Sequence, residues 1–178
     1  VRLIQSVLDE QRGTVVEDRE EPGRFVSTRS EAHDLLRSRP TLLEVYGRIE
    51  NRRAAELRAE GRNRALLDTR ALTPAGLGAV LEAGQDQLEQ GNLAAASGWL
   101  EEGRRHPDLD DDQRRRVLAM LALTHYAAGD DERFRSWREQ LTGAGPDAQA
   151  WVDLLADWTR VIPPTPRIGR DTSEGSNE

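Results

Sequence analysis

From residue 28 onward, apolar residues recur at three- to four-residue intervals, with Gly and Pro as punctuation and few β-branched residues. This is the period of amphipathic helices. Thr28 with Glu31, and Thr41 with Glu44, have the spacing of a capping box, predicting helix starts near 30 and near 42. The second helix carries a stripe of Leu43, Tyr46, Ile49, Ala54 and Leu57 and runs to about 60 or beyond, with a kink or break at Gly61. Thr73-Pro74 reads as a cap followed by a first helical residue, opening a helix over about 74–90 that Gly91 ends. Further helices follow over about 93–105, 112–128 and 131–142, and a last one from Pro146 to Ile162 before Pro163-Pro164. Asp110 with Gln113 forms an acid-type box at the start of the 112–128 helix.

At most seven helices are expected, and an all-α fold. Residues 1–27 carry no dominant reading: Leu3, Ile4, Val7 and Leu8 suit a short amphipathic helix, whereas TVVED and RFVST, flanking Pro22-Gly23, admit a hairpin. Residues 163–178, PPTPRIGRDTSEGSNE, have too few bulky apolar groups to offset the entropy of ordering and are expected to be a disordered tail. The chain thus divides into an N-terminal segment (1–27), N-terminal helices (28–72), a helical repeat region with a closing helix (73–162) and the tail (163–178).

Two stretches inside that region align with each other, Leu77 to Gly103 and Arg115 to Leu141. In each, a helix with a small residue at its middle (Gly84, Ala122) runs into Gly91-Asn92 or Gly129-Asp130, and a Trp follows eight residues after the glycine, at Trp99 and Trp137. The glycines are 38 residues apart. A single helical hairpin of this length cannot bury its apolar face alone, so hairpins of this period stack. With Ala96 as the small packing residue of the second helix, Leu100 behind it and Pro107 near the repeat's end, the region resembles the tetratricopeptide repeat family over roughly residues 74–142. Leu118, Leu121, Ala122 and Tyr126 fit the second unit, while Phe134 stands where a small residue is usual and Gly143 to Pro146 replaces the usual Pro boundary. A generic antiparallel bundle is the rival architecture. The closing helix, with Trp151, Leu154, Leu155 and Trp158, has the make-up of an array cap, its tryptophans expected against Trp137 or, alternatively, as an exposed stripe for a partner.

The resemblance implies antiparallel helical hairpins stacked as a short solenoid, acting as a docking surface in which the first helix of each unit lines a groove. By matching position, the groove candidates are Leu81, Gln85, Leu88 and Glu89 from the first unit and Arg116, Ala119, Leu123 and Tyr126 from the second. Leu123 and Tyr126 are the expected anchors, and Arg116 is expected to select acidic character. The family's carboxylate-clamp members use Lys and Asn where this chain has Leu81 and Gln85, which argues against capture of a C-terminal carboxylate by that route.

Composition narrows the chemistry. The 178 residues carry a net charge of −7, and all 25 basic residues other than histidine are arginine, since the chain has neither lysine nor cysteine. Disulfides, thiolate metal sites, a Cys nucleophile, a Schiff-base lysine and a P-loop lysine are all excluded. His33, His106 and His125 lack metal-ligand spacing, and the Asp108, Asp110, Asp111, Asp112 cluster lacks the Gly and distal Glu of a calcium loop, so helix capping is its expected role. No nucleophile elbow or Gly-rich phosphate loop is present. No enzyme activity, metal or cofactor is therefore expected.

The helix over 48–64 is Arg-rich, and between 48 and 70 seven arginines face four carboxylates with only partial local pairing. A solvated or partner-facing helix is the first reading there. Nucleic-acid binding by a regulatory accessory factor is the alternative. The longest apolar stretch, Val117 to Leu123, is far too short to span a membrane, and no signal core follows the N-terminus, so a soluble, cytoplasmic chain is expected. Val1 is either a literally translated start or follows an upstream one. The expected partners are a protein or peptide and, as a further option, a second copy of the chain.

Overall fold

The structure, a computed structural model, describes residues 1–10, 14–18 and 21–162. The expected disordered tail, 163–178, lies outside the described residues. The chain forms α1 (Arg2–Glu10), strands β1 (Val15–Glu17) and β2 (Phe25–Ser27), α2 (Thr28–Arg37), α3 (Pro40–Ala59), α4 (Asn63–Thr69), α5 (Pro74–Glu89), α6 (Leu93–Arg104), α7 (Asp111–Ala127), α8 (Asp131–Thr142) and α9 (Ala148–Val161). The fold is all-α, apart from the antiparallel β1–β2 hairpin pairing Val16 with Val26. Both features admitted for residues 1–27, the amphipathic helix and the hairpin, are present.

Nine helices rather than seven are found among the described residues. One of the extra two is α1; the other, α4, arises because the Arg-rich helix takes the break expected at Gly61 and the chain turns back there into a further helix. Gly61, Gly91 and Gly129 all adopt positive φ, at 68°, 76° and 70°. The turns around them are superimposable in their bonding. The residue after each glycine donates its N–H to the carbonyl five residues earlier (Arg62 to Leu57, Asn92 to Gln87, Asp130 to His125; 2.8–2.9 Å), and each glycine N–H reaches the carbonyl three earlier at 3.0 Å. This is the Schellman closure, which favours a residue without Cβ at the left-handed position. Seven residues before each glycine stands a buried small residue, Ala54, Gly84 or Ala122. A Cβ on Gly84 would lie 2.8 Å from Leu100 Cδ2, so α5 and α6 close on each other through the missing side chain. The chain therefore holds three consecutive hairpins, α3–α4, α5–α6 and α7–α8.

α5, α7 and α9 begin 37 residues apart, at Pro74, Asp111 and Ala148. α9 thus stands where the first helix of another unit would stand. Its side away from α7 is polar: Gln149, Asp153, Asp157 and Arg160 are exposed and tie to one another through Gln149–Asp153 and Arg160–Asp157 contacts. That finish is what the open end of a stacked array requires.

Core clusters sit between successive hairpins. Leu57, Leu66 and Val80 pack α3 and α4 on α5; Leu77, Leu100, Val117 and Leu121 join α5 and α6 to α7; Leu118, Leu123, Leu141 and Leu155 join α7 and α8 to α9. A fourth cluster, Leu8, Leu36, Tyr46 and Leu72, covers the other end with α1 and α2. Helix caps follow the sequence in part. Thr73 accepts from the Gly76 N–H, and Asp110 with Gln113 forms a full capping box. The expected Thr28–Glu31 and Thr41–Glu44 boxes do not form. Ser27, one residue earlier, caps α2 through the Ser30 N–H, and Pro40 supplies the first residue of α3, leaving Arg39 at the cap without a side-chain bond.

Candidate functional site

The first helices of three units, α5, α7 and α9, lie side by side and enclose a groove of about 750 Å³. α5 contributes Gln85, Leu88 and Glu89; the turn after it, Gly91; the start of α6, Leu93; α7, Arg116, Met120, Leu123 and Ala127; and α9, Trp151, Leu154 and Trp158, with Ile162 at its C-cap. Five of the eight residues expected at a groove line this one: Gln85, Leu88, Glu89, Arg116 and Leu123. Leu81 instead packs over Gly103 on α6, and Ala119 is fully buried within the α7–α8–α9 core. Tyr126 does not line the groove. Its hydroxyl donates to the Thr159 carbonyl at 2.9 Å and its ring lies 5.3 Å from that of Phe134, so it holds the last turn of α9 in place.

The two walls differ in chemistry. On the α5–α7 side, Arg116 donates to the Gln85 carbonyl oxygen while the Gln85 amide donates to Glu89 at 2.7 Å. A cation and a carboxylate are thus bridged by an amide rather than paired with opposite charges. The α9 side is apolar, with Trp151, Leu154, Trp158 and Ile162 at spacings of three and four residues on one helical face. Both groove tryptophans also pack against the core cluster that holds Trp137, so each serves the interior with one edge and the groove with another. Trp151 directs its Nε1–H at the Asp112 carboxylate, 3.4 Å away. The α9 wall had no counterpart among the expected groove residues, because the Trp151–Trp158 spacing serves burial and exposure equally well.

Two further concavities have different characters. One, about 780 Å³, lies beside α3 between Leu43, Gly47, Asn51, Leu72, Pro74 and Pro107; of its four charged members, Glu44, Arg48, Arg52 and Asp108, the first two pair with each other at 2.8 Å. The other, about 270 Å³, is polar and surrounds His33, Arg37 and Glu102 where α2 meets α6. There, His33 Nδ1 and Arg37 Nη2 both contact Glu102 Oε1, at 3.1 and 2.6 Å. Burial alone would raise the Glu102 pKa, but the His33 hydrogen bond and the Arg37 charge outweigh it and bring the carboxyl down to about 2. Burial holds His33 neutral, donating through Nδ1. The unpartnered Nε2 then bears a lone pair, not an N–H.

The other histidines are tied into the fold by contacts on both ring nitrogens. His106 is neutral through burial, with Nε2 against the Ala71 carbonyl at 3.1 Å and Nδ1 accepting the Asp108 N–H at 3.1 Å, a bonding set that fixes its tautomer. His125 brings together residue types of a hydrolytic triad: Nε2 is 3.3 Å from Ser97 Oγ and Nδ1 3.6 Å from Asp130 Oδ2. Ser97, however, sits inside α6, where the neighbouring amides are committed to the helix ladder and offer no donor pair to an oxyanion. Asp130 meanwhile caps α8 through the Arg133 N–H. Among the described residues, no group of three metal-ligating side chains converges.

The Arg-rich helix corrects the sequence reading of partial pairing. Each of the seven arginines between 48 and 70 has a carboxylate within salt-bridge distance: Arg48 with Glu44, Arg52 and Arg53 with Glu56, Arg58 with Glu82, Arg62 with Glu60, Arg64 with Asp68, and Arg70 with Glu50 and Asp9. Three of those carboxylates, Glu44, Glu82 and Asp9, lie outside the 48–70 window, which is why a local count missed them. No described helix is long and apolar enough to cross a membrane. Compared with known proteins, the chain matches no family model, no curated protein and no solved structure.

Proposed function

We propose that this chain is a non-catalytic interaction module of tetratricopeptide-like design, receiving a segment of a protein partner in the α5–α7–α9 groove. The observation that carries the reading is the orientation of α9. Its polar side closes the stack, while its row of bulky apolar side chains, with Leu154 and Ile162 each 37% exposed, faces a concavity that stacking does not need. Apolar anchors in a pre-formed cleft with a polar rim are the common make-up of a docking site. Pairing of the Arg-helix cations within the chain favours this reading over nucleic-acid binding, because phosphate contacts need cations free to exchange counterions.

The test is a comparison of variants in affinity capture. A partner retained by the wild-type chain should be lost on Leu154→Glu and kept on Arg58→Ala. Retention on Leu154→Glu would overturn the reading. Loss on Arg58→Ala, together with salt-sensitive affinity for DNA or RNA, would transfer it to the basic helix. Light scattering coupled to size-exclusion chromatography shows whether the partner is a second copy. The absence of cysteine accords with a reducing cytoplasmic setting for such a module.

A further inference from the structure

Resting on the groove reading, we infer that the occupant is an amphipathic α-helix, and that its polar edge places an acidic residue against Arg116 and a basic one against Glu89. The groove walls are helices, whose backbone N–H and C=O groups are already bonded within each helix. An extended peptide would find no sheet edge to join and would leave its own backbone groups unpaired against Leu88, Leu123, Trp151 and Trp158. A helix brings its backbone bonds with it. The α9 row from Trp151 to Ile162 spans eleven residue steps, about 16 Å at 1.5 Å per residue, and its 3-4-4 spacing makes the ridge into which another helix's side chains interlock.

Charge sets the edge. Among the described residues, Arg116 and Glu89 each bond to the neutral Gln85 amide and to no opposite charge, so both retain a full charge for one. A helix with Glu and Lys on its flank can exchange those amide contacts for ion pairs. With either charge reversed, it meets like charge at the rim.

The experiment selects a phage-displayed library of random 16-residue peptides on the immobilised full chain, in parallel with Leu154→Glu and Arg116→Glu. Leu154 and Arg116 lie at the groove surface, and circular dichroism confirms that each variant is folded. The expected result is a set of peptides lost on Leu154→Glu, with apolar residues at i, i+4, i+7 and i+11, free of central Pro, and carrying an acid that Arg116→Glu exchanges for a base. A synthetic member should gain helical dichroism on binding and shift the tryptophan emission to the blue. A central proline should weaken it at least about tenfold, since an interior Pro removes a backbone hydrogen bond of the helix and clashes with the carbonyl four residues earlier.

Peptides that depend on Leu154 but are Pro-rich or alternating in pattern would overturn the helical occupant and leave the groove reading standing. Helical peptides indifferent to Arg116→Glu would overturn the charged edge. Failure to obtain any peptide that depends on Leu154 would overturn the groove reading itself.

Discussion

The α3–α4 hairpin and the two that follow it turn in the same way but announce themselves very differently. All three close through a left-handed glycine, with a buried small residue seven positions earlier. In α5–α6 and α7–α8 a Trp follows eight residues after that glycine, each under an arginine: Arg29 lies 5.7 Å from the Trp99 ring and Arg104 5.2 Å from the Trp137 ring. In α3–α4 the same position is Thr69, and the second helix is only seven residues long. The turn and the close approach therefore define the hairpin, and the aromatic is an addition. The truncated α4 leaves room for α1, whose Asp9 meets Arg70, to cover that end of the stack.

The largest expected effect tests whether the close approach is common to the three. Gly84→Leu drives a side chain into Leu100 and should cost about 3 kcal/mol in denaturant unfolding. Ala54→Leu and Ala122→Leu, at positions with no exposed surface, should follow within about 1 kcal/mol of it. If Ala54→Leu were tolerated while the other two were not, α3–α4 would not share the hairpin packing.

Helices from 74 to 142 were legible to within a residue or two, because each is bounded by Pro, Gly or a capping acid that acts locally. α4 was not legible. Gly61 stands among arginines whose charges mask the helical period, and nothing nearby takes the place of the second helix's tryptophan. Ser27 and Pro40 took over the ends expected at Thr28 and Thr41, because cap choice between adjacent candidates depends on how the chain enters the helix. At the groove, Gln85, Leu88, Glu89, Arg116 and Leu123 were reachable from the resemblance, whereas Met120 and Ala127 were not, and the resemblance misplaced Leu81, Ala119 and, most consequentially, Tyr126. Its bond to Thr159 crosses 33 positions and leaves no trace in local pattern.

A second difference separates the apolar joints within the stack from the joint between α2 and α6, which is buried and ionic. Glu102→Gln removes the charge that His33 and Arg37 share, leaving a guanidinium with 17% of its side chain exposed and, among the described residues, no carboxylate within salt-bridge distance except surface Asp34. The expected loss is about 2 kcal/mol. Two pH windows separate Glu102 from the histidines, His33 of the same joint included. His33, His106 and His125 have depressed pKa values in the fold, chiefly through burial, so the unfolded chain binds more protons below its value of about 6.5. Thermal stability should be full above that pH and fall as pH drops beneath it. Glu102 contributes above about 4.5 and loses its contribution as pH falls toward 2. In Glu102→Gln the acid-most limb should flatten; an unchanged profile below pH 4 would remove Glu102 from the joint.

The turns themselves give a smaller and more uniform effect. Gly61→Ala, Gly91→Ala and Gly129→Ala each force Cβ into the left-handed region, and no heavy atom crowds the added carbon at Gly61 or Gly91. The cost at those two is conformational, about 1 kcal/mol each. Equal losses at Gly61 and Gly91, read from urea midpoints at constant slope, would confirm that the cryptic turn bears the same load as the obvious one.

The smallest effect distinguishes a groove anchor from a wall fastener. Tyr126→Phe keeps the ring against Phe134 and deletes only the hydroxyl bond to the Thr159 carbonyl, so global stability should fall by about 1 kcal/mol or less. Local opening is the more sensitive readout, because the last turn of α9 lies at the edge of the stack, with Val161 80% exposed. Its amides, including the Ile162 N–H that bonds to the Trp158 carbonyl, should exchange faster with solvent deuterium while those of α7 do not change. A fastener also sets the position of Trp158 and Ile162, so peptide affinity should drop two- to threefold without any change in which peptides are selected. An altered selection pattern with unchanged α9 exchange would mean that the hydroxyl touches the occupant directly.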